Sequence, residues 1–284
     1  MKKITFIDLF AGIGGFHLAM HRNGAKCVFA SEIDEGARKT YKANFKDLEP
    51  ELFNKDNFNT DITKQDFKKI PNFNILCAGF PCQPFSQAGY KKGFEDTRGT
   101  LFFNIAEILK VKKPEAFILE NVRGLKNHNN GETLIRMKEV ISNLGYSFEY
   151  KVLFAKDFGV PQLRPRLLIV GFKDKNKAIR FKFPEPTPLK ITMSDVFNGK
   201  CSRKIGFTLR VGGRRSPIND RRNWDGYIVD DKEVRVGVRE GLLMQGFSKD
   251  FIIPVSKTQG MKQLGNSVAV PLIQAVSKKV INLL

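Results

Sequence analysis

The chain has only four cysteines in 284 residues, Cys27, Cys77, Cys82 and Cys201, and they do not form the two close pairs of a four-cysteine zinc site. That excludes a disulfide scaffold and leaves room for a cysteine that does chemistry. No run approaches the roughly 20 apolar residues needed to cross a bilayer. Met1-Lys2-Lys3 opens directly onto a strand-like segment instead of a secretory apolar region, so a soluble cytoplasmic protein without a membrane partner is expected. Acidic residues are the minority: 29 Asp and Glu stand against 48 Lys and Arg, a formal net charge of +19. Solubility does not require such an excess, and it favours a polyanionic partner, nucleic acid first. There is no repeat of fixed period and no low-complexity tract. His17 and His21 could share a helix face, but no further ligands accompany them and no metal is expected.

What is present is an ordinary hydrophobic fraction, 42%, enough for one large α/β domain and a smaller appendage. Short β-branched and aromatic runs at residues 4–10, 26–31, 74–78, 116–120, 148–153 and 166–172 read as strands. Helical stripes lie between them at 15–23, 100–109 and 132–144. That alternation predicts an α/β fold with a doubly wound, mostly parallel sheet. The rhythm fails after Phe172, and Phe183-Pro184-Glu185-Pro186-Thr187-Pro188 reads as a linker or extended crossover. Residues 203–239 carry ten Lys/Arg against five Asp/Glu among glycines and aromatics, which predicts a loop-rich basic surface. From Ser267 a helical pattern resumes, with Pro271 in its first turn and Ile273, Val276 and Val280 on one face. That helix is expected to return to the large domain.

The chemistry begins at Phe10-Ala11-Gly12-Ile13-Gly14-Gly15-Phe16, a glycine-rich turn between the first strand and helix that lets backbone approach a ligand. His17 stands where the dinucleotide pattern G-x-G-x-x-G has its last glycine, so an adenosyl ligand without phosphates fits better than a pyrophosphate cofactor. Glu32 follows the second strand, where a carboxylate can accept from ribose hydroxyls; Asp61 could reach an adenine amino group similarly. Either acid alone reads as solvated surface, but their places after successive strands argue for a joint role. Gly79-Phe80-Pro81-Cys82-Gln83-Pro84-Phe85-Ser86 follows an apolar strand, so Cys82 is a candidate thiolate nucleophile in a loop at the sheet's carboxyl edge. Cys27 and Cys77 sit inside strand patterns and read as buried small hydrophobes. Glu120 ends a buried-looking strand at the same edge; desolvation there would make it a proton donor to a ring nitrogen, the alternative being a helix cap by Glu120 or Asn121. Gln162-Leu163-Arg164-Pro165-Arg166 adds two permanent cations for phosphate or carbonyl oxygens, unless they serve structural ion pairs.

With Gly93-Phe94-Glu95-Asp96-Thr97-Arg98-Gly99-Thr100-Leu101-Phe102-Phe103, the stretch from Arg239-Glu240 through Gln245-Gly246-Phe247, and Gly265-Asn266-Ser267-Val268, these motifs in this order resemble the DNA (cytosine-5)-methyltransferases of the bacterial restriction-modification type, over nearly the whole chain. The resemblance implies the S-adenosylmethionine-dependent methyltransferase fold, with a catalytic and cofactor-binding domain at 1–172 plus 264–284 and a smaller, loop-rich target-recognition domain at 173–263. It implies S-adenosylmethionine, leaving as S-adenosylhomocysteine, and no metal. The residues implied to hold it are Phe10, Gly12, Ile13, Gly14, Gly15, Glu32, Ile33, Asp61, Ile62, Gly79, Pro81, Leu101, Asn266, Ser267 and Val268. It further implies that Cys82 attacks cytosine C6, that Glu120 acts at N3 and Arg166 at O2, and that Arg164 supports the loop or a phosphate.

Such chemistry requires the cytosine to leave the duplex. The resemblance assigns the gap left behind to the loop at 83–99, so Gln83, Ser86, Lys91, Lys92 and Arg98 are expected at the DNA. Arg210, Arg214, Arg215, Arg221 and Arg222 are available for base reading or phosphate contact. Double-stranded DNA is the expected partner of a monomer working at the nucleoid of a prokaryote, with a cognate restriction endonuclease acting on the same site. An RNA cytosine-5 methyltransferase would share this fold and mechanism. A noncatalytic DNA-binding regulator would explain the charge but not the nucleophile and acid motifs, and a nicotinamide-dependent oxidoreductase would leave Cys82, Glu120 and the arginines without a task.

Overall fold

The computed structural model describes residues 3–55, 57–81 and 101–284. The apolar runs form β1 (Thr5–Leu9), β2 (Lys26–Ser31), β3 (Phe58–Asn59), β4 (Ile75–Gly79), β5 (Ala116–Val122), β6 (Glu149–Phe154) and β7 (Pro165–Phe172). These join one sheet in the order β3-β2-β1-β4-β5-β7-β6. The pairs among β1 to β5 are parallel, whereas β7 runs antiparallel to both β5 and β6. All six expected strands form. The seventh, β3, is two residues long, too short for an alternating pattern to show. The middle of the sheet is covered on both faces, which is why Ile75, Leu76, Cys77 and Ala78 are all fully buried in a continuous apolar run.

One face carries α1 (Gly15–Arg22), α2 (Glu35–Phe45) and α3 (Pro50–Asn54), with Phe6, Phe16, Met20, Tyr41 and Leu168 in the core between. The other carries α4 (Leu101–Lys112) and α5 (Glu132–Asn143), packing Ile105, Met137 and Ile141 on Ile7 and Ile169. Beyond the sheet follow α6 (Lys175–Arg180), α7 (Met193–Phe197), the hairpin β8 (Gly226–Val229) and β9 (Lys232–Arg235), then α8 (Val238–Gln245), α9 (Lys257–Asn266) and α10 (Val270–Ile281). As expected, α10 buries Ile273, Val276 and Val280 completely and accepts Pro271 in its first turn. Asn23, just after α1, donates to the Gln274 carbonyl and to Ser277 Oγ at 2.9 and 2.8 Å, fastening the end of the chain beside α1.

Residues 203–239 are loop-rich, as expected, with one regular element before α8, the β8–β9 hairpin. The β8–β9 hairpin turns on Asp230 and Asp231, both with positive φ (47° and 61°), as a two-residue turn between right-twisted strands requires. Tyr227 of the hairpin and the flanking Trp224 and Val236 join Met193, Val196 and Leu209 in a core continuous with the α1/α10 side of the sheet. No helix among the described residues is long and apolar enough to cross a membrane.

Candidate functional site

The sheet order reverses at β1 and β4, and the carboxyl ends of the strands there form the crevice where open α/β sheets bind ligands. Leaving β1, the chain turns through Phe10, Gly12 and Gly14 with φ of 54°, 56° and 87°. At Gly14 a Cβ would lie 2.2 Å from the Phe45 ring, and at Gly15 2.6 Å from Val268 Cγ2, so both positions demand glycine. Space above Gly12, by contrast, is open to beyond 4 Å.

Glu32, just past β2, accepts from the Gly12 amide at 2.7 Å and from the Asp34 amide at 2.7 Å. Burial raises its pKa, and the two amides work against that rise. Beside it Ile33 is 71% exposed, an apolar side chain presented at the rim of the crevice. Asp61 follows β3 and accepts from the Thr63 amide and hydroxyl at 3.0 and 2.7 Å, which lowers its pKa; it also lies 3.5 Å from Lys64. Ile62 is buried behind it.

On β5, Glu120 pairs in register with Gly79 of β4, and its carboxylate meets Arg166 of β7, Nε to Oε1 at 2.7 Å, in a largely buried ion pair. A Cβ on Gly79 would lie 3.7 Å from Glu120 Oε2, 3.7 Å from Phe16 and 3.9 Å from Val268, so one small space joins the glycine turn, the ion pair and the 267–268 segment. The next residue, Asn121, does not act as the helix cap considered from sequence. It donates to the Phe80 carbonyl at 2.8 Å and so anchors Phe80, two positions before Cys82 in the sequence. Pro81 is exposed. Cys82, Gln83, Ser86, Lys91, Lys92 and Arg98 lie outside the described residues. Leu101 opens α4 half-buried, and Asn266 closes α9 exposed.

Arg164, grouped with the catalytic residues from sequence, occupies a different kind of place. It is 1% exposed and donates to the Leu209 carbonyl at 3.1 Å, the Gly265 carbonyl at 2.9 Å and the Ser267 carbonyl. Of the two roles expected for it, support of a loop fits this geometry; a phosphate contact does not, because the guanidinium is sealed from solvent. Gln162 and Gln245 complete the knot: Gln162 donates to the Met244 carbonyl and accepts from the Leu209 amide, both at 2.9 Å, and Gln245 donates to the Leu264 carbonyl at 2.6 Å. Among the recognition arginines, Arg222 is paired with Asp220 and Arg214 with Asp225. Arg210, Arg215 and Arg221 are exposed. Cys27 and Cys77 are buried, and burial drives both thiol pKa values well up, as expected of inert cysteines.

Two buried groups lie beneath the glycine turn: Asp8, which escaped sequence reasoning, and His17, for which packing or exposure was expected over metal binding. Asp8 of β1 is fully buried with no hydrogen-bond partner for its carboxyl oxygens among the described residues, and burial pushes its pKa well up. A lone acid between Ile7 and Leu9 was the available signal. His17 stacks on Phe45 with centroids 4.0 Å apart, and its Nδ1 lies 2.6 Å from the Tyr41 hydroxyl; burial lowers its pKa to about 3. His17 is therefore neutral when folded and protonates near 6.5 when unfolded, so its contribution to stability is lost as pH falls below 6.5, by up to about 1.4 kcal/mol per pH unit. Asp8, shifted the other way, loses its contribution as pH rises above its unfolded value. Urea unfolding of wild type and His17→Phe at pH 7.5, 6.5, 5.5 and 4.5 is expected to show a difference in stability that changes by roughly that slope below pH 6.5. Parallel curves would refute the neutral buried imidazole.

A model of the C-5 cytosine-specific DNA methylase family matches residues 4–223 and 202–282. The chain is 45% identical over 316 residues to the Type II methyltransferase M.SsoII of Shigella sonnei, covering 99% of this chain and 81% of the relative. It is 42% identical to M.HpaII of Haemophilus parainfluenzae, covering 99% and 90%, and 35% identical to M.HhaI of Haemophilus parahaemolyticus, covering 98% and 94%. Among solved structures, a Spodoptera frugiperda DNMT2 mutant superposes with a TM-score of 0.74 at 18% identity, covering 98% of this chain and all of that one.

Proposed function

Because the chain belongs to the C-5 cytosine-specific DNA methylase family and transfers a methyl group from S-adenosylmethionine to C5 of cytosine in double-stranded DNA, we propose that Cys82 is its nucleophile and that Glu120 and Arg166 act on the cytosine ring. One observation carries this assignment: the Glu120–Arg166 ion pair stands beside Gly79 at the carboxyl edge, and Asn121 anchors Phe80 two positions before Cys82 in the sequence.

The crevice fits an adenosyl ligand. Gly12 leaves open space, Ile33 offers an exposed apolar face for a ring, and Glu32 retains acceptor lone pairs beyond the two amides it binds. S-adenosylmethionine supplies an electrophilic methyl group there. The residues proposed to hold it are those of the 10–15 turn with Glu32, Ile33, Asp61, Ile62, Gly79, Pro81, Leu101 and Asn266 to Val268. Cytosine C5 is a poor nucleophile until a thiolate adds to C6. In the proposed reaction the Cys82 thiolate forms the C6–S bond as the Glu120 carboxyl passes its proton to N3, so that the ring becomes a neutral enamine, and Arg166 orients Glu120 and faces O2. After C5 takes the methyl group, its proton is lost to water, the electron pair re-forms the C5–C6 double bond as the C6–S bond breaks, N3 returns its proton to Glu120, and the thiolate is regenerated. None of these steps calls for a metal.

Residues 1–172 plus 264–284 are proposed as the catalytic unit and 173–263 as the target-recognition unit, since the residues proposed for cofactor and cytosine fall in the first and the arginines at 210–222 in the second. One chain supplies every motif, which supports a monomer. Relatives named as Type II methyltransferases support a cognate endonuclease acting on the same site. The test is bisulfite sequencing of duplex DNA treated with the protein and S-adenosylmethionine, which is expected to show protected cytosines in a single sequence context. Glu120→Gln should slow methyl transfer by about 10²- to 10⁴-fold with cofactor affinity unchanged; an unaltered rate would remove Glu120 from the chemistry.

A further inference from the structure

The five arginines between 210 and 222 are not equivalent. Arg222 is turned onto Asp220, Nη2 to Oδ2 at 2.7 Å and Nε to Oδ1 at 3.0 Å. Arg214 lies 3.5 Å from the fully buried Asp225 and donates to the Val236 carbonyl at 2.9 Å. Both guanidinium groups are thus occupied within the protein. Arg215 is exposed, and its side chain has no partner among the described residues.

Its backbone is the reverse of free. Arg215 sits at φ 65°, a left-handed conformation that glycine or asparagine adopts with far less strain. Its amide faces both carboxylate oxygens of Asp225, at 3.2 and 3.3 Å. On either side, the Gly212 carbonyl accepts from the buried Trp224 indole at 2.8 Å, and the Ser216 carbonyl accepts from Arg235 at 2.9 Å. Arg235 itself reaches Asp225 at 3.2 Å. The segment 212–216 is therefore tied to a buried Trp-Asp-Arg base, and it holds an unpaired guanidinium outward on a strained residue. Strain kept where a smaller residue would relieve it points to function in the side chain. A phosphate contact tolerates a loose tether, whereas bidentate reading of a base edge needs a fixed one.

We propose that Arg215 is a specificity-determining residue that reads a guanine of the target sequence at O6 and N7 in the major groove, with Asp225 as the positioning residue that holds it. This deepens the methyltransferase reading and rests on it.

The experiment uses the full-length enzyme on its bisulfite-defined target and on duplexes in which each guanine is replaced in turn by 7-deazaguanine, which lacks N7. For wild type, one replacement should lower kcat/KM by about 10- to 100-fold. Arg215→Ala should lose a similar factor on the unmodified target and become indifferent to that replacement, and Arg215→Lys should not restore discrimination. Asp225→Asn should weaken discrimination at the same position. A wild type indifferent to every replacement, or an Arg215→Ala enzyme that still discriminates as wild type does, would overturn the inference. So would a loss equal on all duplexes with the salt slope of log affinity reduced by about 0.9, the mark of a phosphate contact. Absence of methyl transfer by wild type itself would instead overturn the underlying reading.

Discussion

Cys82→Ala is expected to reduce methyl transfer by at least about 10⁴-fold while leaving S-adenosylmethionine and DNA binding within a few-fold of wild type. The asymmetry follows from the roles proposed. The crevice proposed for the cofactor is built from the glycine turn, Glu32 and the 267–268 segment, none of which the substitution alters. Without addition at C6, however, C5 has no electron pair raised enough in energy to take the methyl group. The other thiols offer no substitute, because Cys27 and Cys77 are buried in β2 and β4 with pKa values driven well up, and Cys201 belongs to the small unit, its backbone paired with Val229 of β8. Duplex DNA carrying 5-fluorocytosine at the target blocks loss of the C5 substituent and should trap wild type covalently, with the adduct on the peptide spanning residues 79–91. Turnover within tenfold of wild type in Cys82→Ala, or an adduct mapped to another peptide, would refute the nucleophile.

Arg164→Met is expected to destabilise the protein by about 3 kcal/mol or more, measured by chemical unfolding. The guanidinium bonds the Leu209, Gly265 and Ser267 carbonyls, and methionine leaves all three without that donor in a sealed interior. Removing the charge relieves part of a desolvation cost, seen in the lowered pKa of the arginine, so the net loss is smaller than the sum of three hydrogen bonds. Arg164→Lys should recover little, since one ammonium cannot reproduce a planar fork reaching carbonyls from residue 209 to residue 267. A second readout separates this tie from generic packing: cofactor affinity should fall with stability, because Ser267 and Val268 press on Gly15 and lose their tether. An Arg164→Met protein as stable as wild type would show that the knot with Gln162 and Gln245 carries no net energy.

The sheet was readable because each strand's pattern depends on its own few residues: alternation or a continuous apolar run marked six of the seven. Helix α2 was not readable, since its polar residues outnumber the buried Ala37, Thr40, Tyr41 and Phe45 that hold it down. The glycine turn, Glu32, Gly79 and Glu120 could be placed at the sheet's carboxyl edge from sequence because a residue's place after a strand can be read along the chain, and that edge is where ligands gather. Nothing local announced that Asn121 would hold the Phe80 carbonyl, or that Asp225 would sit at the base of the 212–216 segment.

By itself, then, the sequence determined the six main strands of the sheet, the carboxyl-edge residues and the class of chemistry, all matters settled by near neighbours or by motif order. Only the tertiary structure decided which arginines are occupied and which are free. Arg164 and Arg166 stand two positions apart, yet the first is buried among carbonyls contributed from residues 209 to 267 and the second meets Glu120. Side-chain partners are chosen by packing between segments distant in the chain, and a guanidinium has the same composition and charge whether it ends against a buried carbonyl, a carboxylate or open solvent.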